Sequence, residues 1–529
     1  MKIFIAHKID RYEYTDPIFL GVSEDETVKR LDVKDILNCT QEIVTYDVKH
    51  VLNQVRKYYK GKLPTITDID QIEKLNFGRS KKTYQKDRYP WFFWNRLGID
   101  IGHGESKKMY SIVREETDER IIIETLEYLG KKLKNYYSDS VQIANKSNQL
   151  NRFLELENKV QQILHIRQLE GIHIDAKKLN ELISKLEVSK NTLINKLRYK
   201  YDIIDLNFKS LRLFLIGKGF KISKKDYDYF NLINFLKTTK ITSELCKDIY
   251  TTLRIKSDYE KLQQYITEED NLIYPEFSCI GTITSRILIT SPHIQELKKE
   301  NRIIFKPKAG FTFLYCDFNQ FEPGILASFS KDKVMIELYN RADIYSNFSE
   351  FIFGTKALRK EAKVLFLSYL YGMSNKKLIS SIEAVIKSKG LATNSSAYDF
   401  FSKFVELEKF KSIESEKAIE LGYIQSVTTI RRNIKKTNKG KGKKSETRFV
   451  LSQLIQGTAS YILKKSILDV SKDSDIEFLI PMHDAVLYQV PHSKLEEKKR
   501  FIDHCFVSNF KALCPDINAT VDFKPFEDL

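Results

Sequence analysis

The sequence predicts a multidomain protein of the α/β class, and three observations carry that expectation. The chain has 529 residues, enough at about 150 residues per domain for three or four domains, each with its own core. Short β-type runs, Lys2 to Ala6 and Pro17 to Val22, open it, and mixed helix and strand signals follow to about residue 140. Further on, helical periodicity alternates with two apolar β-type runs, Phe311 to Asp317 and Ile476 to Pro481.

Each element has a local reason. From Asn151 to Lys200, apolar residues recur at helical spacing (Leu154, Val160, Ile163, Leu164, Leu169). Gly171 breaks that helix, and Asp175 can cap the next one. Arg359 to Gly372 is a strong helix former without proline, and Met482 to Tyr488 reads as a hairpin with Asp484 at its tip. Arg431 to Arg448 holds nine basic residues against one acid, Glu446, and with Gly440 and Gly442 it is expected to be a mobile loop.

Composition narrows the function. Lys and Arg total 87 against 70 Asp and Glu, a formal charge of +17 that favours a polyanionic partner, nucleic acid ahead of membranes or acidic proteins. A biased genome with a solvated, Lys-rich surface gives the same balance, so charge alone does not decide. Six scattered cysteines without a C-x-x-C pair argue against a zinc module or a disulfide framework. The apolar start is too short for a signal sequence, and no window approaches a membrane span, so a cytoplasmic, soluble protein is expected.

Asp317 ends one apolar run and Asp484 follows another. A lone strand-end Asp is usually a cap or turn residue. Two of them can share a pair of divalent cations about 3.5 to 4 Å apart, as phosphoryl transfer requires, and carboxylate oxygens suit Mg²⁺. Between them in sequence lie Arg359, Lys363, Leu367 and Tyr371. At four-residue spacing these drift roughly 40° per step and form a stripe about 18 Å long, near the reach of a nucleoside triphosphate. Two cations would meet the phosphates, an apolar side chain the sugar and an aromatic the base. By itself the helix reads more readily as an amphipathic surface helix with a basic edge, and its position between the two candidate metal acids tips the balance.

Together these segments resemble motifs A, B and C of family A DNA polymerases, the DNA polymerase I family. The pattern D-Y-S-Q-x-E-L-R is matched by Asp317-Phe-Asn-Gln320-Phe-Glu322-Pro-Gly324. The pattern R-x-x-x-K-x-x-x-F/Y-x-x-x-Y-G is matched by Arg359, Lys363, Leu367, Tyr371 and Gly372, and V-H-D-E by Met482-His483-Asp484-Ala485. Thr282-Ile-Thr284-Ser285-Arg286 with Pro292-His-Ile-Gln295 is similar to T-x-T-G-R and P-N-L-Q, Gln456-Gly-Thr-Ala459 to Q-G-T-A, and Gly422-Tyr423 through Arg431-Arg432 to G-Y-V-x-T-x-x-G-R-R-R. Glu157 to Asp175 resembles the helix that opens the thumb. The resemblance covers roughly residues 150 to 529. Three positions depart from it: Leu367 stands for the sugar-facing aromatic, Gly324 for an arginine and Ala485 for the motif C glutamate.

The resemblance implies a right hand of palm, fingers and thumb. It implies the boundaries 149–295 for the thumb and start of the palm, 296–345 for palm with motif A, 346–425 for fingers with motif B and 426–529 for palm with motif C. It further implies two Mg²⁺ ions, with Mn²⁺ as a substitute, on Asp317, Asp484 and the backbone carbonyl of Phe318. Arg359 and Lys363 would neutralise the triphosphate of a dNTP whose site Leu367, Tyr371, Gln320 and Glu322 complete. Arg286, Gln295, Gln456, His483, Arg431 and Arg432 would contact primer-template DNA. A monomer is expected, with any processivity partner unspecified, and compactness suggests a phage-like origin, which would place the protein in the host cytoplasm. A single-subunit RNA polymerase and a DNA-binding pseudo-polymerase are the alternatives.

Residues 1–148 occupy the place of the family's ribonuclease H-like 3′–5′ exonuclease. Thr45-Tyr46-Asp47-Val48 and Thr67-Asp68 look like pieces of that fold. The first strand offers Ala6-His7-Lys8 where a D-x-E pair is expected, and Arg114 stands four residues before Asp118 where the family has Tyr. A vestigial domain without proofreading is the expectation.

Overall fold

A computed structural model describes residues 1–8, 16–77, 92–222, 229–267, 271–341, 343–391, 397–426, 428, 430–434 and 443–526. The chain divides into two compact units. One comprises Met1–Glu170, Glu276–Ile289 and Ala309–Pro525, and the other Gly171–Pro275, Thr290–Lys308 and Phe526.

The first unit opens with a five-stranded sheet of β1 (Lys2–Lys8), β2 (Ile18–Ser23), β3 (Val28–Leu31), β4 (Glu42–Thr45) and β5 (Ile66–Asp68), in the order β3-β2-β1-β4-β5. β1 runs antiparallel to β2 and parallel to β4, and β4 runs parallel to β5. Strand side chains alternate between faces: Phe4 and Ala6 enter a core shared with Leu126, Leu129 and Leu133 of α1 (Glu119–Lys146), while Ile5 enters another with Ile36, Val51 and Leu52. Asp118 is the N-cap of α1. Its carboxylate accepts from Arg120 N at 2.9 Å and is exposed, so the acid that the sequence suggested as an exonuclease remnant serves a helix end.

Asp47 and Asp68 lie at the C-terminal ends of the parallel neighbours β4 and β5. Asp47 is left-handed (φ 49°) and 3.4 Å from His50, and Asp68 accepts from Asp70 N at 2.9 Å. Lys8 is buried at the end of β1, donating to Val113 O at 3.4 Å, and Arg114 donates to Tyr110 Oη.

The rest of the first unit surrounds a four-stranded antiparallel sheet of β6 (Phe311–Phe318), β7 (Glu477–Met482), β8 (Ala485–Pro491) and β9 (Val521–Lys524), in the order β7-β8-β6-β9. Its helices include α2 (Asn158–Glu170), α3 (Arg359–Leu370), α4 (Val405–Leu421), α5 (Lys443–Val470) and α6 (Leu495–Leu513). Cys316 and Phe318 of β6, Val486 and Tyr488 of β8, Ile462 and Ile467 of α5 and Phe506 and Phe510 of α6 share one apolar core. The expectation of one loop from Arg431 to Arg448 is corrected at both ends: Arg432–Asn433 pairs with Tyr423–Ile424 as a short strand, and Lys443 begins α5. Residues 435–442 lie outside the described residues.

The second unit is mainly helical. Ala176–Tyr201, Phe208–Gly217, Tyr229–Thr239 and Glu244–Gln263 contribute to a core of Leu197, Leu211, Leu232, Leu236 and Ile249. Asp175 caps the first of these helices through Lys178 N at 3.1 Å, as its sequence position implies. At the preceding break, Gly171 has φ 71°, and a Cβ there would lie 2.9 Å from Ile273 O.

His7 gives the first unit an acid-sensitive point. It is buried, its Nε2 lies 2.9 Å from Tyr46 O and its ring stacks on Tyr46 at 4.6 Å. Burial pushes its imidazole down to about 4. Between that value and the ordinary 6.5 the unfolded chain binds a proton that the folded chain refuses, so stability is full above pH 6.5 and falls as pH drops. In denaturant titrations across that window, wild type should lose about 3 kcal/mol relative to His7→Phe.

Candidate active site

The register of the four-stranded sheet builds the site. Asp317, next to last in β6, pairs with Ala485 of β8 on one side and with Asp522 of β9 on the other. Directly opposed residues share a face. Met482 pairs with Ala485, which leaves His483 and Asp484 as the turn between β7 and β8. Phe318 N donates to Asp484 O at 3.3 Å, tying the two acidic segments together. The ring of Phe318 stacks on Phe321 at 4.0 Å in the core, which leaves its backbone for any role at the site.

The electrostatics are those of crowded, buried acids opposed by nearby basic side chains. Burial, then the neighbouring Asp484, pushes Asp317 up to about 6, while Lys524 and Lys363 pull the other way. Burial also raises Asp484, against the pull of Arg286 and Lys363. Its Oδ1 is buried without a hydrogen bond, and the Arg286 guanidinium is 3.7 Å away.

Arg286 donates to Glu322 Oε1 at 2.5 Å, and Tyr371 Oη donates to Glu322 Oε2. Burial first, then Asp484, raises the Glu322 carboxyl. Gln456 reaches Tyr371 from α5. Arg286, Glu322, Tyr371, Gln456, Asp484, Lys363 and Asp317 are therefore linked by direct contact or by charge, although they come from segments far apart in sequence.

Other expected residues are engaged differently. Arg359 forms a bidentate pair with Asp343, Nε to Oδ1 at 3.0 Å and Nη2 to Oδ2 at 2.6 Å. Arg359 and Lys363 both lie over the ring of Tyr345, 5.4 and 5.6 Å from its centroid. Gln320 spends its carboxamide oxygen on Ile344 N at 2.7 Å. Leu367 is half-buried against the apolar core, and His483 is exposed. Arg431 and Arg432 lie over Tyr423 and Phe449 at 3.8 and 4.5 Å. Gln295 belongs to the second unit.

Sequence reasoning missed Asp343, Tyr345 and Asp522. Burial raises Asp343, but hydrogen bonds from Arg359 and Ser346 outweigh it and hold the acid below the usual carboxylate range. Asp343 also caps the helix Ile344–Phe353 through Ser346 N, and a cap is all that its local sequence signals. Asp522 accepts from Asn319 at 2.8 Å and pairs with Lys524, also at 2.8 Å. Only the strand register places it beside Asp317.

The site thus joins two adjoining acids, at a strand end and in a turn, within the field of Lys363 from α3 and of Arg286. The chain belongs to DNA polymerase family A, whose family model matches residues 213–524. It is 24% identical over 378 residues to DNA polymerase I of Aquifex aeolicus, covering 67% of this chain and 63% of that protein. The DNA polymerase I of Caldicellulosiruptor bescii is 21% identical over 509 residues, 90% of this chain and 56% of the relative. That of Bacillus subtilis is 23% identical over 429 residues, 75% and 48%. The chain thus spans about half the length of these relatives. The fold is shared with the POL domain of Pol1 from M. smegmatis, solved in complex with DNA primer-template and dNTP, at a TM-score of 0.77 and 17% identity over 99% of this chain and 95% of that one.

The structure accounts for one departure from the family pattern. A Cβ on Gly324 would lie 2.9 Å from the rings of both Phe510 and Tyr339, so an arginine has no room in this core. Gly324→Arg should destabilise the protein by about 3 kcal/mol in denaturant titration.

Proposed function

We propose that the chain carries out template-directed DNA synthesis, adding deoxynucleotides to a primer 3′ end. The placing of Asp317, at the end of a palm strand, within the field of Asp484 in the adjoining turn, with Lys363 and Arg286 as the neighbouring cations, is the observation that carries this reading. In it, β6–β9 are the palm, the segment 346–425 with α3 is the fingers, and the thumb and start of the palm span 149–295.

The donor set suits divalent cations. Both carboxylates are raised by burial, Asp317 also by the charge of Asp484, and one carboxylate oxygen, Asp484 Oδ1, has no hydrogen bond to lose. Asp317, Asp484 and the Phe318 carbonyl would hold them. Two Mg²⁺ ions would supply Lewis acidity at the attacking and leaving oxygens. The chain's own residues do the rest. Lys363 and Arg359 bind the triphosphate, with Asp343 holding the Arg359 fork so that Nη1 remains for phosphate. Glu322, fixed by Arg286 and Tyr371, occupies the space next to the sugar, and Tyr371 abuts the templating pair. Arg286, Gln456 and His483 position the primer end, and Arg431, Arg432 and Gln295 contact the duplex or template.

The sheet order of residues 1–68, with three antiparallel strands (β3-β2-β1) continued by two strands parallel to β1 (β4 and β5), supports a ribonuclease H-like exonuclease remnant for residues 1–148. Of the expected acids only Asp47 and Asp68 lie at neighbouring strand ends, while Asp118 caps a helix on the surface and Lys8 fills the end of β1. The proposal includes the absence of proofreading.

Primer extension with single dNTPs, with and without Mg²⁺, tests the reading. Asp317→Ala and Asp484→Ala should each abolish extension in single turnover while duplex binding stays largely intact. A 3′-mismatched primer incubated with Mg²⁺ and no dNTPs should remain uncut. Mismatch removal that disappears in Asp47→Ala would reverse the proofreading proposal.

A further inference from the structure

The catalytic face continues onto β9, which contains none of the motif segments. β9 is an edge strand of the four-stranded sheet, and its register sets Asp522 opposite Asp317 and Lys524 opposite Tyr315. Phe523, between them, packs against the apolar core. Asp522 and Lys524 therefore share the face of Asp317.

The Lys524 amine reaches back along the strand to Asp522 at 2.8 Å. Burial and Asp484 raise the Asp317 carboxyl, and of the two cations that oppose them Lys524 acts ahead of Lys363. The Lys524–Asp522 pair is 42% and 41% exposed, so solvent screens it and it exchanges readily. Asp522 has a second donor, Asn319 at 2.8 Å, so the amine can leave without stranding the acid. Other cations of the face are held more firmly: Arg359 is forked on Asp343, and Arg286 is bonded to Glu322. Lys524 is thus an exchangeable point charge on a flexible stem, suited to following a phosphate that moves.

The two flanks of Asp317 differ. On the β8 side lie Asp484 and, 3.7 Å from it, Arg286, which the polymerase reading gives to the primer end. On the β9 side lies Asp522, within the field of Arg359, which the same reading gives to the triphosphate. A nucleotide with its α-phosphate at Asp317 then runs its phosphate tail toward Asp522 and Lys524. As the primer 3′ oxygen bonds to the α-phosphorus, the bond from that phosphorus to the oxygen bridging the β-phosphate breaks. Its electron pair leaves with pyrophosphate, the hydroxyl proton passes to water, and the departing charge lies on the β9 side.

We propose that Lys524 leaves Asp522 to bind the β- and γ-phosphates of the incoming nucleotide and then the departing pyrophosphate, so that the palm sheet supplies a phosphate-binding cation besides those of α3. The assignment rests on the polymerase reading and adds a residue to its nucleotide site.

The full chain, with primer-template and Mg²⁺, tests it by two readouts. Inhibition of single-nucleotide extension by added inorganic pyrophosphate gives one affinity, and calorimetric titration with pyrophosphate gives another that needs no turnover. Lys524→Gln should weaken pyrophosphate about tenfold in both, the loss of one charge-assisted hydrogen bond. It should also raise KM for dNTP while primer-template affinity and Tm stay at wild type. Lys524→Arg, which keeps the charge, should bring pyrophosphate affinity back to within about threefold of wild type. Lys499 lies behind the same strand, 5.4 Å from the Phe523 ring, and Lys499→Gln should leave pyrophosphate affinity unchanged.

An unchanged pyrophosphate affinity in Lys524→Gln, an equal loss in Lys499→Gln, a parallel loss of primer-template affinity or no recovery in Lys524→Arg would overturn the proposal. Wild type that fails to extend a primer yet binds pyrophosphate through Lys524 refutes the polymerase reading and leaves the phosphate site standing. Normal extension with a pyrophosphate affinity indifferent to Lys524 refutes the Lys524 site alone, and wild type that neither extends nor binds pyrophosphate refutes both.

Discussion

The pairing of β6 with β8 is the constraint on which the rest of the site depends. Side chains of a strand alternate, so a slip of one residue would send Asp317 into the apolar core and bring Cys316 or Phe318 out. Apolar packing enforces the register. Phe318 stacks on Phe321 at 4.0 Å and meets Phe506 and Phe510 at 4.9 and 5.6 Å. Each buried ring is worth about 1.5 to 3 kcal/mol. The aromatic cluster under the sheet thus holds a carboxylate on top of it, at a place where its own charge is unfavourable and burial pushes its pKa up to about 6.

A buried ionic network performs a similar service for the loop of Arg286. Glu157 lies between Arg152, at 2.7 Å, and Lys464, at 2.5 Å, and all three are buried. Burial raises the Glu157 carboxyl, but the two cations outweigh it and leave it below its ordinary value. Arg152 extends the network to Ser285, a left-handed residue (φ 60°) whose carbonyl accepts from Ser460 Oγ at 2.7 Å. Removing one member would strand a charge, at a cost of about 3 to 5 kcal/mol. α5 therefore anchors the Arg286 loop through Ser460 and Lys464 and reaches Tyr371 through Gln456.

What was legible in the sequence is local. The break at Gly171, the Asp175 cap, the Asp484 turn, β6 and the helix from Arg359 each have their cause within a few residues, in backbone freedom, capping or period. What was hidden depends on partners far along the chain. The Arg359–Asp343 pair uses an acid that reads only as a cap, and the link from Arg286 through Glu322 to Tyr371 joins three segments that no periodicity connects. Asp118 misled for the opposite reason: a motif comparison gave it chemistry, while its immediate context, an acid just before a long helix, already gave it a capping role. The basic run after Arg431 was read from composition, which is blind to the short strand at its start and to the helix beginning at Lys443.

The departures from the family pattern become intelligible once the neighbours are known. Gly324 is required by Tyr339 and Phe510, so the arginine's absence follows from the packing of this core. Ala485 faces Asp317 from β8 and is 2% exposed, a place where a further carboxylate would deepen the repulsion that already raises Asp317. On the opposite flank, β9 sets Asp522 against Asp317. Burial raises that acid too, but hydrogen bonds from Asn319 and Lys524 and the charge of Arg359 more than offset it and keep it ionised. The face around Asp317 thus keeps a second acid on an adjoining strand, on β9 where the motif pattern would put it on β8. There Asp522 comes within the field of Arg359, so the acid beside Asp317 and the guanidinium that opens α3 are coupled through a strand that carries no recognisable motif.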